Sequence, residues 1–404
     1  MQQHRSQSLL FALFICVVSV GFVTPMQALP KFSLLNGSRC SGCHVNVAGG
    51  GQRNDLGWYS YSDVSIIPRE GSFISGLYAS DTTNAFFDNK LFVGLDVRAQ
   101  STRSFFAPDA PRIIIPMQGT IYAAFKPFQD GVGLSFEAQF NTFGLRKQPN
   151  SDQRVRFPGQ RIWMASATWQ PEVDLPAIRV GQFRPAYGIR YDDHTMFPYS
   201  VVNSISRQTI VGPDWAEAGA EVSYEGLPWL TAQVGVFGTS GLAEVKFQDS
   251  GRLVSAVAGN APTLSARVVG WPQFMDDFIN AYVGASILNN GDFNIMSGFL
   301  GVGLTDYVAL AADYTLVQKG EIVQANNLSL ELTAQVWSPV LPFVRYEIGT
   351  SQQRTNAKQS AQSTVIGAHI FVMPYVELRP EYRIWDTVRP GLTARWNLQL
   401  HIFY

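Results

Sequence analysis

The sequence predicts an all-β protein: a 16-stranded transmembrane β-barrel of the outer-membrane type, preceded by a short N-terminal segment of its own. Three observations lead there. Segments of about ten residues that alternate apolar and polar recur from residue 90 to residue 404. The connections between them alternate between tight and long. Charged residues make up only 15% of the chain and aromatic residues 13%, yet no long apolar run follows residue 28, so no transmembrane helix is expected.

The chain opens with His4 and Arg5, runs without a charge from Leu9 to Val23, and reaches Met26-Gln27-Ala28. A basic start, an apolar core and a small residue at the cut describe a secretory signal over 1–28, removed after Ala28. The alternative is a membrane anchor, but the run is short of the ~20 apolar residues that a span requires.

Residues 29–70 carry Cys40-Ser41-Gly42-Cys43-His44. CxxCH is the spacing of covalent c-type haem attachment: one turn of backbone presents both thiols to the haem vinyl groups, and the adjacent histidine reaches the iron. The chain has three cysteines, of which Cys16 lies in the signal. A structural zinc site would want four N/S ligands, and the next histidine after His44 is His194. A Cys40–Cys43 disulfide is the remaining alternative, and no βαβ pattern surrounds it. The expected cofactor is therefore one covalent haem c, with Cys40 and Cys43 as anchors and His44 as proximal iron ligand. Segments this short rarely fold unaided. Phe32, Leu34, Leu35, Leu56, Trp58 and Tyr59 are the apolar residues expected to clasp the group, and Gly49-Gly50-Gly51 ends any helix and allows close backbone approach. A minimal element docked on something larger is expected.

Residues 71–89 read as a linker, with 72–80 as a possible extra strand. The barrel, 90–404, takes strands near 90–101, 115–126, 131–141, 160–170, 176–185, 214–225, 229–239, 262–271, 278–288, 295–304, 306–317, 326–337, 341–349, 363–373, 374–384 and 391–403. The last is the clearest. Ala394, Trp396, Leu398, Leu400, Ile402 and Tyr404 take one face, and Thr393, Arg395, Asn397, Gln399 and His401 the other. Tight connections fall at 127–130, 226–228, 305 and 338–340, and long ones at 142–159, 186–213, 240–261 and 350–362. If the N-terminal segment is periplasmic, every tight turn falls on the periplasmic side, as outer-membrane barrels require. The final Phe403-Tyr404 is an aromatic end of the kind found on such barrels.

A 16-stranded barrel encloses a lumen. Glu377, Arg379, Glu381 and Arg383 share one inward face, near Arg345 and Glu347. Haem iron in electron transfer usually takes a second axial His or Met, and none follows His44 before Met117. Met117 falls on the outward face by parity, and His194 lies in a long loop. His401 or His369 is the candidate distal ligand, in that order, since both face the lumen near the periplasmic end. Asp192-Asp193-His194 is a weaker candidate for binding a cation. Lys and Arg total 30 against 31 Asp and Glu, which makes no case for nucleic acid.

Pro30, Phe32, Gly37, Cys40, Cys43 and His44 stand at the distances found in outer-membrane monohaem cytochrome–porin fusion proteins associated with bacterial iron oxidation, and the chain resembles that family. The residues between Phe32 and Gly37 are Ser-Leu-Leu-Asn rather than Ala-Arg-Gln-Thr, and a Gly-rich run follows His44 in place of a stretch with Pro and Phe. The resemblance implies electron transfer across the outer membrane, from an extracellular donor such as Fe(II) to a periplasmic c-type cytochrome or other electron carrier. Outward electron transfer, a solute porin with a haem-bearing plug or redox sensor, and a haem peroxidase are the alternative expectations.

Overall fold

The computed structural model describes residues 30–60, 64–68, 84–102, 111–128, 132–144, 163–189, 196–202, 207–211, 215–257, 259, 261–275, 277–354, 357–387 and 393–404. The signal 1–28, the stretch 72–80, and Asp192, Asp193 and His194 lie outside the described residues.

Sixteen strands form the barrel: β1 Leu91–Thr102, β2 Ile113–Phe125, β3 Gly133–Gly144, β4 Trp163–Gln170, β5 Ala177–Phe183, β6 Glu217–Leu227, β7 Leu230–Phe237, β8 Thr263–Gly270, β9 Ile279–Asn290, β10 Phe293–Leu304, β11 Val308–Lys319, β12 Val323–Ala334, β13 Val340–Gln353, β14 Gln359–Met373, β15 Val376–Thr387 and β16 Thr393–Phe403. Each pairs antiparallel with the next, and β16 closes onto β1 with His401 opposite Arg98. Two stubs, Ala85–Phe86 on β1 and Gln273–Phe274 on β9, complete the eighteen-stranded sheet. The end of the expected linker is thus part of the sheet.

The alternation sorts the side chains as the sequence requires. Leu310, Leu332, Val344 and Leu398 face outward, while Asp313, Thr333, Arg345 and Asn397 are buried inside. Trp163, Trp169, Trp229 and Trp337 are exposed at strand ends and turns, where interfacial aromatic girdles belong. A closed sheet leaves no unpaired edge, and this one turns its apolar face out. That combination suits hydrocarbon rather than water, and it makes the chain an outer-membrane barrel with both described ends on the periplasmic side.

Three expectations need correction. The loop asymmetry is confined to the first half of the barrel. At the far end β9 turns into β10 through residues 291–292 and β11 into β12 through 320–322, while β13 and β14 extend into the expected 350–362 loop. Met117 faces the lumen, because a bulge between β1 and β2 shifts the register at Arg98/Ala99 and reverses its parity. The Gln399 amide lies 3.7 Å from its sulfur. Leu56 and Tyr59 point away from the N-terminal segment and are more than half exposed, whereas Phe32, Leu34, Leu35 and Trp58 are buried as expected.

Two apolar clusters fill the lumen at opposite ends. At the periplasmic end the N-terminal segment packs Phe32, Leu34, Leu35 and Trp58 against Tyr282, Phe299, Phe371, Tyr375 and Phe403. At the far end, loop residues including Tyr187, Val211, Trp215, Leu242 and Phe247 pack on Leu288, Phe293, Val317 and Val323 of the wall. The first helix, α1 Pro30–Asn36, lies on β9, β10 and β11. Its seat is cut by glycine: a Cβ at Gly303 would overlap the Leu34 carbonyl, and one at Gly301 would strike the Leu34 side chain and the Tyr282 ring. The Leu35 carbonyl then accepts from Asp306 N at 2.8 Å, and the Gly37 carbonyl from Gln273 Nε2 at 2.7 Å.

Gly303→Ala is expected to lift α1 from the wall and leave the barrel intact. The segment should be cleaved faster by protease in protein whose unheated, folded gel band is unchanged. Cleavage at the wild-type rate would show that the close approach is not what anchors α1.

Candidate functional site

Cys40–Cys43 forms a single helical turn, α2, with the two cysteines three residues apart and so on one face. Arg39 accepts from Gly42 N and Cys40 from His44 N, both at 3.0 Å, which places His44 just past the turn in extended backbone. The chain then doubles back. His44 bridges Arg53, Val45 N donates to the Gln52 carbonyl at 3.0 Å, and Asn54 N donates to that of Cys43 at 3.0 Å. The loop between turns through Gly49, Gly50 and Gly51, all with φ between 68° and 79°, which L-residues rarely adopt. A Cβ on Gly49 would come within 3.0 Å of the Cys40 Cβ, so the bare backbone is what fits against the thiol.

The third helix, α3 Asp55–Tyr59, is capped by Asn54, whose side chain accepts from Gly57 N and donates back to the Ser41 and Gly42 carbonyls. This locks α3 onto α2 and turns Trp58 inward, stacked on Tyr375 at 5.3 Å and edge-on to Tyr404 at 5.7 Å.

The residues fit a c-type haem on two counts. The donor set is right: two thiols on one turn, neither in a disulfide, followed by an imidazole. And the Trp58 indole N–H, in a side chain 1% exposed, has no acceptor among the described residues, which suits a buried carboxylate of the propionate kind. Burial pushes the Cys43 thiol up to about 12, which keeps it protonated in the folded chain.

Beneath the segment runs a buried polar chain that crosses six strands. Lys31 of α1 reaches the wall, where its Nζ lies 2.8 Å from Glu331 Oε1, 2.7 Å from His369 Nε2 and 5.0 Å from the centre of the Phe343 ring. An ammonium only donates, so His369 Nε2 accepts and Nδ1 carries the proton toward Glu377. Glu377 also meets His401 Nδ1 at 2.9 Å, and His401 Nε2 lies 3.3 Å from Asp96, which Arg98 grips with Nε and Nη2, each at 3.0 Å. His401 thus lies between two carboxylates, hydrogen-bonded to Glu377 through Nδ1, while its Nε2 has no hydrogen-bond partner among the described residues. In the other direction Arg345 links Glu331 at 3.4 Å to Glu347 at 3.5 Å, and Glu347 accepts from Phe197 N of the inward loop at 2.8 Å. Arg379, Glu381 and Arg383 pair along β15 as their spacing suggests.

His369 and His401 therefore stand where parity puts them, in the lumen near the periplasmic end. Both ring nitrogens of His369 are engaged, by Lys31 and Glu377, so iron ligation there would require one partner to be released, whereas His401 is hydrogen-bonded through Nδ1 alone. His369 touches the segment directly, through Lys31 and the Phe32 ring at 6.0 Å, whereas the His401 ring lies 4.8 Å from Phe403, over which the Arg53 guanidinium sits at 4.5 Å. Lys31, Asp96 and Glu331 had no assigned role in the sequence. A lone lysine in the apolar PKFSLLN helix was the one available signal.

Lys31→Met should cost about 3–5 kcal/mol, the loss that follows when one partner of a buried ion pair is removed. It should appear as lower thermal stability and earlier proteolysis of the segment, and Lys31→Met with Glu331→Gln should recover part of it. Equal stability of the single variant and the wild type would count against the ion pair as the anchor.

No protein-family model matches the sequence, and no curated protein does. Among solved structures, a loop-deletion form of OmpT, an outer-membrane protein of Vibrio cholerae, aligns at a TM-score of 0.49 with 11% identity, over 78% of this chain and 99% of that one. The outer-membrane channel DcaP of Acinetobacter baumannii aligns at 0.48 with 11% identity, over 78% and 97%. OpdK of Pseudomonas aeruginosa, solved with vanillate, aligns at 0.45 with 13% identity, over 79% and 100%. The chain's own geometry stands beside these likenesses: a 16-stranded outer-membrane barrel with a CxxCH segment seated in its periplasmic mouth.

Proposed function

We propose that the chain is a channel-type outer-membrane barrel whose periplasmic mouth is occupied by a c-type haem segment, and that the segment makes the barrel a route for single electrons. The supporting observation is the position of α2: the Cys40–Cys43 turn is built into the wall contacts of the barrel rather than hung from a linker. When bound, a haem supplies a one-electron couple. Cys40 and Cys43 tether it, His44 ligates it, and Trp58 orients it from a buried side. The aromatic and aliphatic cluster around Cys40 excludes water. An extracellular reductant such as Fe(II) as donor and a periplasmic c-type cytochrome as acceptor complete this reading. A cavity of ≈ 280 Å³ lined by Ser38, Arg39, Ser41, Gly42, Trp271 and Gln273 leaves the outer side of the turn open to the periplasm, where a carrier would approach.

The second reading is a solute porin with a haem-bearing plug. It is favoured by the lumen wall, where Arg179, Glu221, Arg267, Asp313, Glu331 and Arg383 face inward along much of the barrel. Polar interiors of this kind line aqueous channels.

The full chain, purified in detergent, should retain haem through denaturing electrophoresis, and Cys40→Ala with Cys43→Ala should lose it. Absence of haem from wild-type protein matured with a c-type attachment system ends the electron-transfer reading. Mixing with Fe(II) should reduce the haem, and failure to do so removes iron as donor. Lipid-bilayer conductance separates the second reading: a large open-state conductance that changes with haem redox state favours the porin. His401→Ala and His369→Ala test the distal ligand, and an unchanged low-spin spectrum in both dismisses it.

A further inference from the structure

At mid-height on the inner wall, away from the haem segment, β10, β11 and β12 bring together a set of oxygen atoms. Asp313 is fully buried. Its Oδ1 accepts from the Ser297 hydroxyl at 3.0 Å and the Thr315 hydroxyl at 3.4 Å, whereas its Oδ2 has no hydrogen-bond partner among the described residues. Thr315 stands directly opposite Asn327, and Asp313 directly opposite Ser329. Asn327 is 1% exposed, and its amide nitrogen donates to the Ser200 carbonyl of the inward loop at 2.7 Å, so the amide is fixed. That leaves Asn327 Oδ1, which also has no partner among the described residues. The diagonal Asp313–Asn327 places both bare oxygens on one square of the sheet, within reach of a single guest.

The surroundings define that guest. Phe299, opposite Asp313 on the other side, is apolar. The next charged groups in the same row are already paired: Glu347, opposite Ser329, is held by Arg345 and by Phe197 N. The turn Phe197–Tyr199 lies against β11, β12 and β13, and both Asp313 and Asn327 are buried. A buried carboxylate oxygen without a donor costs several kcal/mol or more unless a positive charge meets it or a proton neutralises it. The hydroxyls of Ser297 and Thr315 donate toward Oδ1 and keep their lone pairs for something else. One carboxylate with neutral oxygens around it balances one positive charge, while calcium sites bring more carboxylates and more ligands.

We infer that Asp313 and Asn327, with Ser297, Thr315 and Ser329, form a site for a small monovalent cation of the sodium class, locked beneath the Phe197–Tyr199 turn. The inference is independent of the haem. A bound cation would cross-link β10–β12 and, through Asn327 and Ser200, the inward loop.

The test is thermal unfolding of the full chain in detergent, in sodium, potassium or choline chloride at equal ionic strength. The expected result is a higher melting temperature for the wild type in sodium or potassium than in choline, with no such difference in Asp313→Asn. Ser329→Ala, which keeps the carboxylate, should move the half-maximal cation concentration upward by about tenfold, the lower range for loss of a supporting group at a metal site. An infrared difference spectrum of the wild type between sodium and choline should show a shifted carboxylate stretch, which keeps the test decisive if Asp313→Asn does not fold. Identical salt responses in wild type and Asp313→Asn overturn the site. So does a response to calcium alone, or an infrared band of a protonated acid that sodium leaves unchanged.

Discussion

A β-sheet in hydrocarbon cannot leave a row of N–H and C=O groups unpaired, and the rest of this chain is arranged around that constraint. Closure of β16 onto β1 satisfies it, at the cost of enclosing a space that sixteen strands make too wide for wall side chains alone to fill. The chain fills it with itself. The N-terminal segment enters from the periplasmic end and the loops from the other, and each buries aromatic and aliphatic groups against apolar inward positions of the wall. Between the two clusters the wall is polar and charged.

Charge inside that space is kept in balance by pairing. Along the line from Arg98 to Glu347, Arg98, His401, Lys31 and Arg345 alternate with Asp96, Glu377, Glu331 and Glu347, and His369 stands between Lys31 and Glu377. The line stitches three things that are otherwise separate: the closing seam of the barrel at β1/β16, the N-terminal segment at Lys31, and the inward loop at Phe197. A disturbance at any of the three leaves a buried charge without its partner.

Much of the barrel is legible in the sequence because the lipid and the lumen impose a period of two on every strand, and all sixteen segments appear in order. What alternation cannot carry is register. Met117 reverses its face because one extra residue on β2 has to be absorbed by a bulge, and nothing local to Met117 marks it. The short far-end turns at 291–292 and 320–322 escaped because strand ends blur where the polar residues Asn289, Asn290 and Asn294 continue the pattern into the turn. For the site, the Cys40-Ser41-Gly42-Cys43-His44 string can be read as chemistry because its ligands are adjacent. The partners of Lys31 cannot, since Glu331 and His369 lie some three hundred residues away and become neighbours only on closure.

The glycine seat under α1 sets a calendar for the molecule. Residues 30–67 are made before any barrel strand, but the floor of α1 belongs to β9–β11, the Phe371 and Val372 carbonyls that accept from Ile66 N and Ile67 N belong to β14, and the ring under Arg53 belongs to β16. The segment cannot settle until the last strand has found the first, so a stretch made before the barrel is placed after it. Any group fixed to Cys40 and Cys43 beforehand must wait, exposed to the periplasm, while the wall that will receive it is still being assembled.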